Sequence, residues 1–411
     1  MCLQSECGAA LAAAAPAETP PLAGVTASPG VPAPAAEAAA TSSAEPAEEP
    51  TEQPSLGPVG NPSAESRPGL AAEPAADLDG ERAAAPSFEL QARVISGFEV
   101  QRSRPSGDQT RPAEKDVGFQ VRQARIELDA ERKRFRLNLS LDLADALSSD
   151  ISGGYDSPPF LRNATLEYRY SKALRLLVGR YKRPLSRIEL TSAADLPVLR
   201  RGLLNGLVIK DNQWGDRAVG AMLSGRLEPA KLRWYVSLTN PDWSTSLQSQ
   251  GVDVIARVQL TPIKALSLGL DGGYKYLRLG SQAEWTHDFA IGGDVGWKVA
   301  GVHLLLEGHF ADLPFETGRP QAVGGLLLAD YVFELSQHWS LQPTLFAELA
   351  DANAKVSETE SVRFAAGLNL LGSSGFRVLP QVALVRPLGH ASQQNPWLDN
   401  ETYSLVFSLA L

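Results

Sequence analysis

The chain is poor in the residues that most often carry chemistry. It has two cysteines in 411 residues, Cys2 and Cys7, both at the extreme N-terminus. That excludes a disulfide framework or a cysteine metal site from the rest of the chain. Histidine is scarce as well, five scattered residues. No run of about eighteen apolar residues exists, so no transmembrane helix is expected. The same absence does not exclude strands that cross a membrane, because each alternates and gives a weak hydropathy signal. Aromatics are few, at 7%. The net charge of −9 is unevenly placed: residues 1–87 hold 12 acidic and 2 basic side chains, and residues 88–411 hold 35 and 36. The acidity belongs to the tail, and no basic surface points to a nucleic-acid partner.

What is there begins with that tail. Residues 1–17 include the Ala-rich stretch Gly8 to Ala17, which reads as the end of a truncated signal peptide. Ordinary Ala-rich sequence is the other reading. Polar Gln4, Ser5 and Glu6 before Cys7 argue against a lipoprotein signal. Residues 18–87 are Ala, Pro, Glu, Ser and Thr with almost no large apolar side chain. Such a segment has too little surface to bury against the entropy of ordering, so a disordered acidic Pro/Ala-rich linker is expected. A sharper reading makes it a periplasmic tether that contacts peptidoglycan.

From Phe88 the texture changes to period two. Phe135, Leu137, Leu139, Leu141 and Leu143 alternate with Arg134, Arg136, Asn138, Ser140 and Asp142. Leu232, Trp234, Val236 and Leu238 alternate with Lys231, Arg233, Tyr235 and Ser237. Side chains on a strand point alternately to its two faces, so each segment has one apolar and one polar face. This predicts sixteen strands, near 88–101, 116–130, 133–145, 160–170, 173–182, 217–228, 231–239, 252–261, 265–276, 285–299, 301–311, 321–335, 338–350, 360–371, 374–387 and 400–411. Their length exceeds the soluble norm of about five or six residues and suits tilted membrane spans.

The connections decide the architecture. Tight turns fall at Glu131-Arg132, Ser171-Lys172, Pro229-Ala230, Pro262-Ile263-Lys264, Ala300, Ser336-Gln337 and Gly372-Ser373. Between them lie long polar connections at 102–115, 146–159, 183–216, 240–251, 277–284, 312–320, 351–359 and 388–399. Strict alternation of short and long predicts an all-β, closed antiparallel transmembrane β-barrel of about sixteen strands over residues 88–411, with periplasmic turns and outer loops. Closure leaves no unpaired sheet edge in lipid. A soluble β-helix or sandwich array would not need an apolar face on every strand. Tyr168, Tyr170, Trp234, Tyr274, Tyr276, Trp297, Tyr331, Trp339 and Tyr403 fall mostly near strand ends on the outer face, as interfacial girdles do. In strand 116–130 the parity changes between Val121 and Ala124, which a bulge near Arg122 explains.

The longest interruption, 183–216, is long enough to fold into the lumen. From Phe160 to Arg217 there are 12 basic against 5 acidic residues. Arg180, Lys182, Arg183, Arg187, Arg200 and Arg201 face only Glu189 and Asp195 in sequence, whereas Arg134, Arg136, Arg169, Lys231, Arg233, Arg257, Lys275 and Lys298 share the lumen parity with acidic partners. Such charges either sort ions or pair across strands and solvate the wall. The basic set names an anion pathway, since guanidinium groups bind oxyanions in bidentate fashion. His303, Glu307 and His309 also share the lumen parity. They read as wall decoration, with a barrel enzyme such as a lipase as the distant alternative.

Two stretches resemble the phosphate-selective porin O and P family. One is Phe119-Gln-Val-Arg-Gln-Ala-Arg-Ile126 with the strand that follows. The other is Gly179-Arg-Tyr-Lys-Arg-Pro-Leu-Ser-Arg-Ile-Glu-Leu-Thr-Ser192 with Asp195-Leu196 and Arg200. The resemblance covers roughly 88–411. It implies a sixteen-stranded outer-membrane channel of a Gram-negative bacterium, usually a homotrimer in the lipid bilayer and inserted by the barrel-assembly machinery. It also implies passive diffusion of small hydrophilic solutes, with phosphate or other small anions preferred by some members. The barrel's near charge balance keeps two alternatives open: a non-selective or cation-leaning pore, or a structural outer-membrane anchor tethered to the cell wall. No cofactor is expected.

Overall fold

The computed structural model describes residues 85–104, 114–144, 160–241, 249–279, 284–316, 318–388 and 399–411. The expected signal peptide at 1–17, almost all of the linker at 18–87 and large parts of several long loops lie outside these residues.

Sixteen strands form one antiparallel sheet. They are β1 (Ser87–Arg104), β2 (Glu114–Arg132), β3 (Phe135–Asp142), β4 (Leu161–Ser171), β5 (Leu174–Lys182), β6 (Arg217–Leu227), β7 (Leu232–Thr239) and β8 (Ser249–Ile263). There follow β9 (Leu266–Leu279), β10 (Thr286–Val299), β11 (Val302–Asp312), β12 (Gln321–Tyr331, resumed at Phe333–Glu334), β13 (Trp339–Asp351), β14 (Glu360–Gly372), β15 (Phe376–Pro387) and β16 (Asp399–Ala410). Each strand pairs with its neighbours in sequence, and β1 pairs with both β2 and β16. The last pairing, from Arg93 opposite Ala410 to Arg104 opposite Asp399, closes the barrel. All sixteen expected strands are present.

The alternation explains the two faces. On β5, Leu174, Leu176 and Val178 are exposed outward, and on β16 so are Tyr403, Leu405, Phe407 and Leu409. These are the lipid-facing rows. Ring pairs mark both rims: Phe135 with Tyr168 and Trp339 with Phe376 at the short-turn end, and Tyr276 stacked on Trp285 at the loop end. The two-residue hairpin between β10 and β11 turns through Ala300 and Gly301, both at positive φ. Two positive-φ residues give a turn whose twist matches that of the strands.

The core of the barrel is supplied by the loop 183–216. Pro184 cannot donate to a ladder, so β5 stops at Lys182. Ser186 then caps a single helical turn, α1 (Arg187–Leu190), by accepting from the Glu189 amide at 3.1 Å. A π-helical turn (Asn205–Asp211) follows before β6. Leu185, Leu204, Leu207, Val208, Ile209 and Trp214 pack on an inner wall cleared by Ala290, Ala311, Ala322 and Ala350. Ile188, Leu196 and Val198 pack on Leu326, Leu328 and Phe346. The small wall residues of β10–β13 leave the room that the loop fills.

Candidate functional site

The loop is fastened to one side of the lumen by buried polar side chains of the wall. Arg183 bonds Asp253 on β8 at 2.6 Å, and Lys275 on β9 holds the same carboxylate, all three side chains fully buried. Glu307 on β11 accepts from the Ser186 hydroxyl and from the Ile188 amide at 2.9 Å. His309 lies 2.7 Å from Glu307, so that histidine is a structural neighbour of the loop anchor. Glu348 on β13 accepts from the amides of Leu203 and Leu204 at 2.7 and 2.9 Å. Gly202, at φ 127°, makes that approach feasible, since a Cβ there would meet the Glu348 carboxylate at 2.7 Å. On β14 and β15, Asn369, Arg377 and Gln381 bond the loop backbone at Pro197, Ala194 and Leu199.

The opposite side of the lumen stays open. Between the wall of β1–β6 and the free edge of the loop lies a cavity of about 480 Å³. Its wall is basic. Arg93 on β1 stands directly opposite Arg125 on β2. Arg125 in turn opposes Asp142 on β3, 3.6 Å away, and Arg162 reaches the same carboxylate at 3.4 Å. Arg217 leans on Asn163 at 2.9 Å. Arg93 bonds the Ser192 hydroxyl at 2.8 Å and leaves its Nε without a partner. Arg162 and a further arginine of the cavity, Arg122, occupy bulges. The β1–β2 register shifts after Ile95, leaving Arg122 as the extra residue, and the β3–β4 register shifts after Ser140, leaving Arg162. A bulge re-aims a side chain, and both of these side chains line the cavity.

Of the residues named from sequence, Lys182, Arg201 and Arg136 line this cavity. Lys182 and Arg201 clamp Glu189 at 2.8 and 3.3 Å. Burial opposes the Glu189 charge, but Lys182, Arg201 and Lys210 outweigh it and hold the carboxyl well below its ordinary range. Arg136 is paired with Asp129 at 2.9 Å. The others lie elsewhere. Arg183 is an anchor under the loop, and Arg187 bonds Ser267 and lies 3.4 Å from Asp294. Arg200 bonds Glu99 at 2.8 Å. Arg180 stands opposite Val219, on the parity of the lipid-facing row. Arg169 is held by Glu131 and Glu167, both at 2.6 Å, and Arg233 opposes Gln259. Arg134 and Lys231 correct the sequence expectation of a place on the wall. Both occupy tight turns, because β3 starts only at Phe135 and β7 at Leu232.

A closed sixteen-stranded barrel, narrowed by an inward loop from its third long connection, matches one sequence family. The model of the phosphate-selective porin O and P family covers residues 88–299. The chain belongs to that family. Among curated proteins none matches. Solved structures with the same fold include the anion-selective porin from Comamonas acidovorans, at 12% identity and TM-score 0.59, covering 80% of this chain and 100% of that one. OmpF of Salmonella typhi, solved with daunomycin, aligns at 10% identity and TM-score 0.57 over 79% of this chain and 97% of its own. OmpT of Vibrio cholerae aligns at 10% identity and TM-score 0.51 over 80% and 99%. These likenesses establish the barrel fold. This porin is therefore an outer-membrane channel for small solutes, embedded through its strands.

Wall residues Arg93, Arg125, Arg162 and Arg217 escaped the sequence reading. A signal for Arg122 and Arg125 was present in the broken parity of strand 116–130. Arg162 had none, because its bulge shows only in the pairing.

Proposed function

We propose that this porin conducts small anions in preference to cations through the opening between the β1–β6 wall and the loop. The observation that carries this is the pair Arg93–Arg125, two like charges placed directly opposite each other on neighbouring strands. Like charges so placed cost stability. Arg162 adds a third guanidinium beside Arg125, and the two share the single carboxylate of Asp142. Excess positive potential in a narrow aqueous passage concentrates anions and repels cations. The buried charges on the far wall do not offset it, because each is committed to the loop or to a neighbour. In this reading the short-turn end faces the periplasm.

The test is the reversal potential of the purified porin in a planar bilayer under a KCl gradient. The wild type should reverse on the anion side. Replacing Arg93 and Arg125 by Gln should move the potential towards zero while the channel still conducts. A wild-type potential on the cation side would refute the proposal.

A further inference from the structure

The charges on the β1–β2 wall are sorted along the pore axis. Reading inward from the short-turn end, Glu89 stands directly opposite Asp129, then Gln91 opposite Glu127, then Arg93 opposite Arg125. These side chains all line the cavity described above, and none of them is buried. A negative band thus lies towards the short turns, and a positive band follows it, where Arg162 joins Arg125. Neutral amides hold two of the carboxylates: Gln91 donates to Glu89 at 2.6 Å, and Asn138 to Glu127 at 2.7 Å. Asp129 accepts from Asn138 at 3.2 Å and from the Arg136 guanidinium at 2.9 Å, so Arg136 offsets part of the negative band. Asp142 likewise offsets part of the positive one.

Stability does not ask for this order. Like charges directly opposite each other on neighbouring strands are destabilising, and this wall carries both Glu89 against Asp129 and Arg93 against Arg125. Exchanging Arg125 with Asp129 would turn both rows into pairs of opposite charge. The sorted order instead creates a field along the passage, to which a solute charged oppositely at its two ends responds and an uncharged solute does not. Spacing sets the length of that solute. At about 3.2–3.4 Å per strand residue, the Glu127 row lies about 7 Å from the Arg125 row and the Asp129 row about 13 Å from it. An extended peptide advances about 3.3–3.6 Å per residue, so a chain of about two to four residues reaches from one band to the other. Its terminal ammonium then faces the carboxylates, and its terminal carboxylate meets the fork of a guanidinium. A small inorganic ion meets the bands one after the other, and the larger positive excess still decides its passage.

We propose that this passage favours zwitterions, short peptides with free termini, over uncharged solutes of similar size. The inference rests on the pathway named above and gives it a further solute class. Binding of this strength eases entry without trapping the solute. Swelling of proteoliposomes that carry the full-length porin tests it, with triglycine and glucose as probes. The two are close in mass and neither has a net charge, so no potential builds up. Triglycine should enter about threefold faster, the factor that one solvated charge pair supplies. Glu89→Gln combined with Glu127→Gln should bring the ratio of the two rates close to one, with the glucose rate and the anion-side potential in KCl both kept. Where that variant does not fold, Glu89→Gln alone, at an exposed position, should lower the ratio. Triglycine no faster than glucose in the wild type overturns the inference and leaves the anion reading intact. An unchanged ratio in a folded variant overturns it too. A cation-side potential of the wild type in KCl overturns the anion reading instead.

Discussion

Asp253 is the residue on which two buried cations depend. Arg183 from the loop and Lys275 from β9 converge on its carboxylate, with no solvent exposure at any of the three. Lys275 also lies over the Trp214 ring, 4.9 Å from its centre, so the cluster joins loop, wall and core. Neutralising one partner of such a group leaves uncompensated charge in a dry site, at a cost of about 3–5 kcal/mol. Asp253→Asn should therefore lower the thermal unfolding temperature of the purified porin by circular dichroism. An unfolding temperature equal to that of the wild type would show that the cluster is solvated in the membrane. Arg93 and Arg125 represent the opposite case, two like charges directly opposite each other, a destabilising placement that the proposed anion pathway would account for. Arg183 shares its carboxylate with Lys275 out of water, whereas Arg125 shares that of Asp142 with Arg162 on the wall of the cavity.

At the scale of elements, the loop behaves as a plug seated in a socket of alanines. Ala311 and Ala322 oppose each other on β11 and β12, both fully buried beneath the loop. Ala322→Phe overfills that socket, at about 1–3 kcal/mol. The loop is the softer side of the contact, so it should lift, and single-channel conductance should rise. Unchanged conductance would mean that the wall yields instead. This socket also marks the limit of what the sequence made legible. All sixteen strands could be read, because lipid demands an apolar row on every one and alternation records it. The entry of the loop into the lumen followed from its length and its place between strands. The socket did not show. Leu326, Leu328 and Phe346 are apolar yet point inward, because they meet the loop and not water, so their strands lose the two-face pattern. The arginines that form the opening were hidden by pairing. Arg122 and Arg162 sit at bulges, and Arg93 and Arg125 become neighbours only once β1 and β2 are placed in register. Loop arginines stood out in sequence because they are clustered, but clustering does not reveal that Arg183 is spent on an anchor.

At the scale of the whole molecule, the field in the opening is a sum over charges that share one water-filled passage. Screening is its natural probe, since the Debye length falls from about 10 Å at 0.1 M salt to about 3 Å at 1 M. The anion-to-cation permeability ratio should therefore be larger at low salt and decline as salt is raised. A ratio independent of salt would place the selectivity in direct contacts and not in the field.

The seating of the loop also orders events in time. Neighbouring strands pair through hairpins, but the anchors of the loop join residues far apart in the chain: Arg183 to Asp253 across 70 positions, Ser186 to Glu307 across 121, Leu203 to Glu348 across 145 and Pro197 to Asn369 across 172. These partners stand on strands that must already be aligned before any one of them can receive the loop. Contacts of such separation bring their reward only after the closure entropy of long segments has been met. The constriction is thus acquired late: the loop is fully seated only once β8 to β14, which carry these anchors, stand side by side.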